Sequence, residues 1–315
     1  MILTAETTDT CVTIEPRIFA ILEEKKARRL TGPYIPRSIA QVTASLESLY
    51  GPGSISGLRR MAGGASKEQF VFDHGGERLV LRMDPLEGLI ETCRRREDQV
   101  LRAMHGVVPV PEVRHADIDG ATFGLPALVT TFVPGVAKPP QAAASVSGLR
   151  TDFDAHWIAL LAPAFIDNLV RIHGFDYRAA ALPDFAMPDP VGGAVTAILD
   201  WELAHVGDFH EDLAWNLQPI FANRGADGET MISGLFRRDE FLSAYENASG
   251  RTVDPAALFF YDVLAAWKCA VIDLSSCLTA ARDGNNHQDA LLSWLATSAH
   301  VVLSHLTALL EKGRH

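Results

Sequence analysis

The chain has 315 residues, long enough for two lobes and a large core. Apolar residues make up 48% and charged residues 21%, the balance of an ordinary globular protein, which sets aside disordered and fibrous classes. The net charge of −11 argues against a footprint on a nucleic-acid backbone and against an anionic membrane surface, while a nucleotide needs only a local positive pocket.

The N-terminus, M-I-L-T-A-E-T-T-D-T, carries no basic segment leading into an apolar one, so no signal peptide is expected. Residues 1–50 read as a helical extension. Ile18 to Leu30 is a charged amphipathic helix closed by Gly32-Pro33. Ser38 to Tyr50 places Ile39, Val42, Leu46 and Leu49 on one helical face, and Gly51-Pro52-Gly53 ends it. This segment is either a dimer arm or lid, or a helix packed on the body. Cys11, Cys93, Cys269 and Cys277 are scattered without C-x-x-C spacing, which fits a reducing cytoplasm rather than a disulfide or zinc framework.

Leu58 to Met83 reads as strand, glycine-rich turn, strand, turn at Gly75-Gly76, strand. Gly63, Gly64, Ala65 and Ser66 are small enough for backbone N–H groups to approach a phosphate closely; the alternative is a plain hairpin turn. Arg82 ends the apolar strand Leu79-Val80-Leu81. A cation there needs an anionic partner, and Glu97, in the helix predicted from Glu91 to His105, is the natural candidate unless both are solvated. Pro109-Val110-Pro111 breaks that helix. Leu128 to Phe132 is a further strand, and Lys138 to Ser147 is a Pro/Ala/Ser-rich loop.

From about residue 150 the texture is helical. Trp157 to His173 is amphipathic, with Pro163 as a kink or a start. Arg238 to Ser249, Pro255 to Leu278 and Asp289 to Glu311 also carry helical periodicity. The uncharged apolar runs fall short of a membrane span; Phe259 to Leu274 comes closest and is interrupted by Asp262, Lys268 and Asp273. Between these helices, Val195 to Leu199 is a short apolar strand with Asp200 at its end and Glu202 and Asp208 close behind. Carboxylates so placed can hold a hard cation such as Mg²⁺ through oxygen ligands; the alternative is an acidic turn between strand and helix. Glu211 and Asp212 open the helical run that follows, where acidic residues suit the positive helix end.

Taken in order, these pieces resemble the aminoglycoside-phosphotransferase family of small-molecule kinases, over roughly residues 55–280. G-G-A-S-K-E at 63–68 resembles the family's phosphate-covering loop, and L-V-L-R at 79–82 the strand bearing the phosphate-contacting base. Glu97 resembles the glutamate paired with that base. L-V-T-T-F-V-P-G at 128–135 resembles the adenine-holding hinge, with Thr130 and Phe132 in it. D-W-E-x-x-x-x-G-D-x-x-x-D-L-A at 200–214 resembles the metal-binding signature, with Asp200 on Mg²⁺. The resemblance implies an α+β, two-lobed protein-kinase-like fold: an antiparallel-sheet N-lobe at 51–131 and a mainly helical C-lobe at 132–315. It also implies ATP or GTP with Mg²⁺ as cofactors, a small hydroxylated substrate, and a cytoplasmic protein. Phosphoryl transfer is mostly positioning and charge stabilisation, which is what these parts supply. Arg82 stands where protein kinases have lysine, and a guanidinium serves through its forked geometry.

One part departs from the pattern. The family's H-G-D-x-x-x-x-N catalytic loop, which supplies the base, is absent from the stretch between L-V-R-I-H at 169–173 and Thr196. Asp184 and Asp189 reproduce its Asp-to-Asn spacing, which makes Asp184 either a surrogate base or a solvated loop carboxylate. The chain is thus either a working kinase or a pseudokinase that binds nucleotide or serves as a scaffold. Without its loop, Asp212 is expected to be structural, capping a helix from Leu213 or paired locally.

Overall fold

A computed structural model describes residues 36–61, 68–84, 93–135, 153–180, 182, 194–196, 205–225, 227–283 and 289–313. Helix α1, Ile39–Tyr50, starts on Ser38, whose hydroxyl accepts the Gln41 N–H while the Gln41 side chain reaches back, a capping box. Its Val42 and Leu46 are buried, whereas Ile39, expected on the same face, is exposed. Strands β1 Ser56–Arg60, β2 Glu68–His74, β3 Glu77–Met83, β4 Val113–Asp117 and β5 Ala127–Thr131 form one sheet in the order β1-β2-β3-β5-β4, antiparallel throughout. Period-2 alternation places Phe70, Phe72, Leu79, Leu81 and Met83 on one face, packed with α1. The helical extension is therefore joined to the sheet by its second half; Ile18 to Leu30 lies outside the described residues.

The other face of the sheet meets α2, Arg94–Met104. Val100, Leu101 and Met104 of α2 pack with Val113 of β4, Leu128 of β5, and Ile172 and Tyr177 at the end of α3, Ala155–His173, so one core joins sheet and helical part. Strand β4 was not expected from the sequence. Its end is fixed by Asp117, whose carboxylate accepts the N–H groups of Ala121, Thr122 and Phe123, and by Gly120 at φ +73.

Helix α3 begins two residues before the expected Trp157, capped by Asp154, so Pro163 lies in its interior rather than at its start. By length and composition alone it is the one described helix that could cross a membrane, contrary to the expectation placed on Phe259 to Leu274. Its Ile166 and Leu169 instead pack with Leu213, Phe241 and Tyr245. Then come β6 Ala194–Thr196, β7 His205–Gly207, α4 Phe209–Asn216, a 3-10 turn at Pro219–Phe221, the hairpin β8 Ala222–Arg224 and β9 Thr230–Ile232, and α5 Arg238–Ser249. Helices α6, Pro255–Asp283, and α7, Asp289–Lys312, close the chain, as their periodicity predicts. Along α6 the charges of Asp262 and Asp273 are buried, while Phe260, Trp267, Val271 and Leu274 are exposed.

Candidate active site

Arg82 lies one residue from the end of β3, opposite Gln69 of β2 and Leu128 of β5. Leu128 belongs to the α2-side core, so the pleat sends Arg82 toward α2 as well. There it meets Glu97: Arg82 Nη1 donates to Glu97 Oε1 at 2.5 Å. Glu97 is fully buried and Arg82 keeps 23% of its side-chain surface exposed. The pairing expected from sequence is therefore made, and the alternative of two solvated charges is set aside. A second guanidinium reaches the same carboxylate. Arg94 Nη1 donates to Glu97 Oε2, and Arg94 Nε and Nη2 donate to Asp84 Oδ1 at 2.9 and 2.7 Å. Sequence reading missed Arg94 because it stands in a run of three arginines, which looks like a solvated helix start.

Beside this cluster, Arg37 Nη1 donates to Glu68 Oε2 at 2.9 Å and to the Asp84 carbonyl at 3.2 Å. Glu68 is nearly fully buried and follows the glycine-rich stretch directly. Met61 N–H donates to the Gln69 carbonyl, which extends the β1–β2 pairing beyond Arg60 and Phe70. Gly63, Gly64, Ala65 and Ser66 themselves lie outside the described residues.

In the expected hinge, Thr130 is buried in β5 between Val80 and Val113, on the same face as Arg82. Thr131 N–H donates to the Glu112 carbonyl and Phe132 N–H to the Arg78 carbonyl, so both amides belong to the sheet. Val133, 63% exposed, is the first residue beyond those pairings, and Pro134 after it has no N–H to offer.

The acidic stretch divides. Strand β6, Ala194–Thr196, pairs with β7 through Val195 and Val206. Asp200, Glu202 and Asp184 lie outside the described residues. Asp208, grouped with them as a cation ligand, serves another purpose: its Oδ1 accepts the His210 N–H and caps α4. That oxygen also holds His210 Nδ1 at 2.7 Å. His210 Nε2 accepts the Asp254 N–H, so its proton sits on Nδ1. The helix thus starts at Phe209 rather than Leu213, and Asp212 does not cap it. Asp212 is buried within α4, and its Oδ2 lies 3.2 Å from Nε2 of His173, at the end of α3. His173 Nδ1 lies 2.8 Å from the Tyr245 hydroxyl, and Arg251 donates to the His173 carbonyl at 2.7 Å. Burial pushes the Tyr245 hydroxyl up to about 12, so it stays protonated and donates to Nδ1, while Nε2–H donates to Asp212. Asp212 is expected to cap a helix or pair locally; it does neither, and its partner His173 is distant in sequence.

Among the described residues no group of three His, Cys, Asp or Glu side chains is placed to hold a metal. The Arg82 guanidinium, partly exposed on its strand and held by buried Glu97, has the chemistry to meet an anion.

Residues 57–190 match the model of the Phosphotransferase enzyme family. Among solved structures, a protein of Ralstonia eutropha JMP134 assigned to the aminoglycoside phosphotransferases aligns over 87% of this chain and 98% of its own, with 16% identity and a TM-score of 0.60. Choline kinase from Cryptosporidium parvum Iowa II aligns over 87% of this chain and 97% of its own, with 11% identity and a TM-score of 0.50. At these identities the likeness is one of fold. A search of curated proteins finds no match. Over residues 57–190 the chain is similar to the phosphotransferase enzyme family, and it is built on a kinase-like fold with an antiparallel sheet and a helical C-terminal part.

Proposed function

We propose that the chain is a nucleotide-dependent phosphotransferase acting on the hydroxyl of a small molecule. The observation that carries this reading is the Arg82–Glu97 pair between β3 and α2, where a kinase-like fold holds the cation for nucleotide phosphates. Arg82 would contact the phosphates of ATP or GTP, with Gly63 to Ser66 covering them and the 130–133 segment against the base. Asp200 would hold Mg²⁺, which neutralises phosphate charge when bound. Phosphate release or nucleotide consumption that depends on an added alcohol, and is lost in Arg82→Gln and Asp200→Ala, supports the reading. A broad alcohol panel giving no turnover refutes it.

A second reading has its own observation. α3 ends at His173 and β6 begins at Ala194, which leaves only residues 174–193 where the family has a catalytic loop and its flanking elements. On this reading the chain binds nucleotide and transfers phosphate only slowly, without a base. A general base contributes on the order of 10²–10⁴-fold, so Asp184→Asn separates the two: a loss of that size makes Asp184 the base, and unchanged slow turnover leaves the chain without one.

A further inference from the structure

We propose that Arg94 is a positioning residue for Arg82. It completes the charge around Glu97 and ties the strand that carries Arg82 to the helix that carries Glu97. The inference rests on the reading of Arg82 as a phosphate contact.

Three observations carry it. Glu97 is fully buried, where a carboxylate needs both charge compensation and bonds to both oxygens. Arg82 donates to one oxygen and Arg94 to the other. Next, Arg94 is the first residue of α2, where the helix field disfavours a cation, and it is 1% exposed. A buried cation at that position is costly by itself, so its pairings must offset the cost. Finally, its fork spans two elements: one arm holds Glu97 of α2, and the other holds Asp84, two residues beyond Arg82 on the chain leaving β3. A lysine has the charge but not the planar fork that reaches both carboxylates. Arg94 is walled in while Arg82 keeps solvent access, so an anion would meet Arg82, with Glu97 already fixed behind it.

The test uses the full-length chain with Mg·AMP-PNP as probe, in wild type, Arg94→Lys, Arg94→Gln and Leu46→Ala. Leu46 is buried on the opposite face of the sheet and controls for stability alone. Calorimetry should show affinity lower by about tenfold, or about 1.4 kcal/mol, in Arg94→Lys. Leu46→Ala should lower the unfolding temperature and leave affinity unchanged. Equal affinity in wild type and both Arg94 variants overturns the inference, as does an equal loss in Leu46→Ala. If Arg94→Gln does not fold, Arg94→Lys carries the test. If the wild type binds no nucleotide, the phosphotransferase reading fails separately. The inference is then decided by ¹³C titration of the Glu97 carboxyl in the nucleotide-free chain. A pKa raised in the folded Arg94 variant supports it, and an unchanged one refutes it.

Discussion

Replacing Tyr245 with phenylalanine removes one oxygen atom from a ring that is fully buried. The ring contacts with Phe209 and His173 survive, so no sizeable cavity opens. What is lost is the 2.8 Å bond to His173 Nδ1. That nitrogen is then buried without a partner, at a cost of about 1–3 kcal/mol. Taking about 2 kcal/mol, and about 2–4 °C per kcal/mol for a chain of this size, the unfolding temperature should fall by about 4–8 °C. Thermal and urea denaturation of Tyr245→Phe beside Tyr261→Phe measure the temperature shift and the free energy, since the Tyr261 hydroxyl makes no hydrogen bond among the described residues. Because His173 links Tyr245 to Asp212, the double variant Tyr245→Phe/Asp212→Asn should be non-additive by at least about 0.5 kcal/mol. A Tyr245→Phe cost under about 0.5 kcal/mol, with strict additivity, would refute the buried chain that joins α3, α4 and α5.

Burial pushes the Asp273 carboxyl from 3.8 up to about 6. The folded chain then holds this proton more tightly than the unfolded chain, so the group lowers stability as pH rises from about 4 to 6 and leaves it lower above that. Asp273→Asn should stabilise by up to about 3 kcal/mol at pH 7, at 1.36 kcal/mol per pKa step. Melting curves of the two proteins should converge below pH 4, and a constant difference across pH contradicts this. Gly120→Ala places a Cβ 2.8 Å from the Leu125 backbone at φ +73, and should cost at least about 2 kcal/mol by denaturation. Near-wild-type stability would contradict that turn geometry. In native alkylation with mass mapping, exposed Cys93 should be modified readily. Cys269 should be protected until unfolding, because burial pushes its thiol up to about 12; equal rates would contradict its burial.

The helices were legible because each carries a long periodic signal with punctuation: Ser38 and Gly51 bracket α1, and the bounds of α5 came directly from its apolar spacing. The strands flanking Gly75-Gly76 were legible for the same reason. Strand β4 was not, because V-R-H-A-D is short and mixes charge into its alternation, and its order comes from pairing with β5 and from the Asp117 turn. Within the site, Arg82 and Glu97 could be matched because a lone cation after an apolar strand demands a partner. Arg94 could not, since local sequence does not distinguish the inward arginine from Arg95 and Arg96. The start of α4 is expected at Leu213 from the sequence and lies one turn earlier, at Phe209, with Asp208, read as a cation ligand, as its cap. Either could cap a helix; the bond from the His210 N–H makes Asp208 the cap, and Asp212 turns to His173, which is distant in sequence.

The most direct measurement of the central claim is ATP and GTP binding by calorimetry, with and without Mg²⁺, on the wild type, Arg82→Gln and Asp200→Ala. The account predicts Mg²⁺-dependent binding by the wild type, weakened in Arg82→Gln, with the Mg²⁺ dependence abolished in Asp200→Ala. A folded wild type that binds neither nucleotide would contradict it.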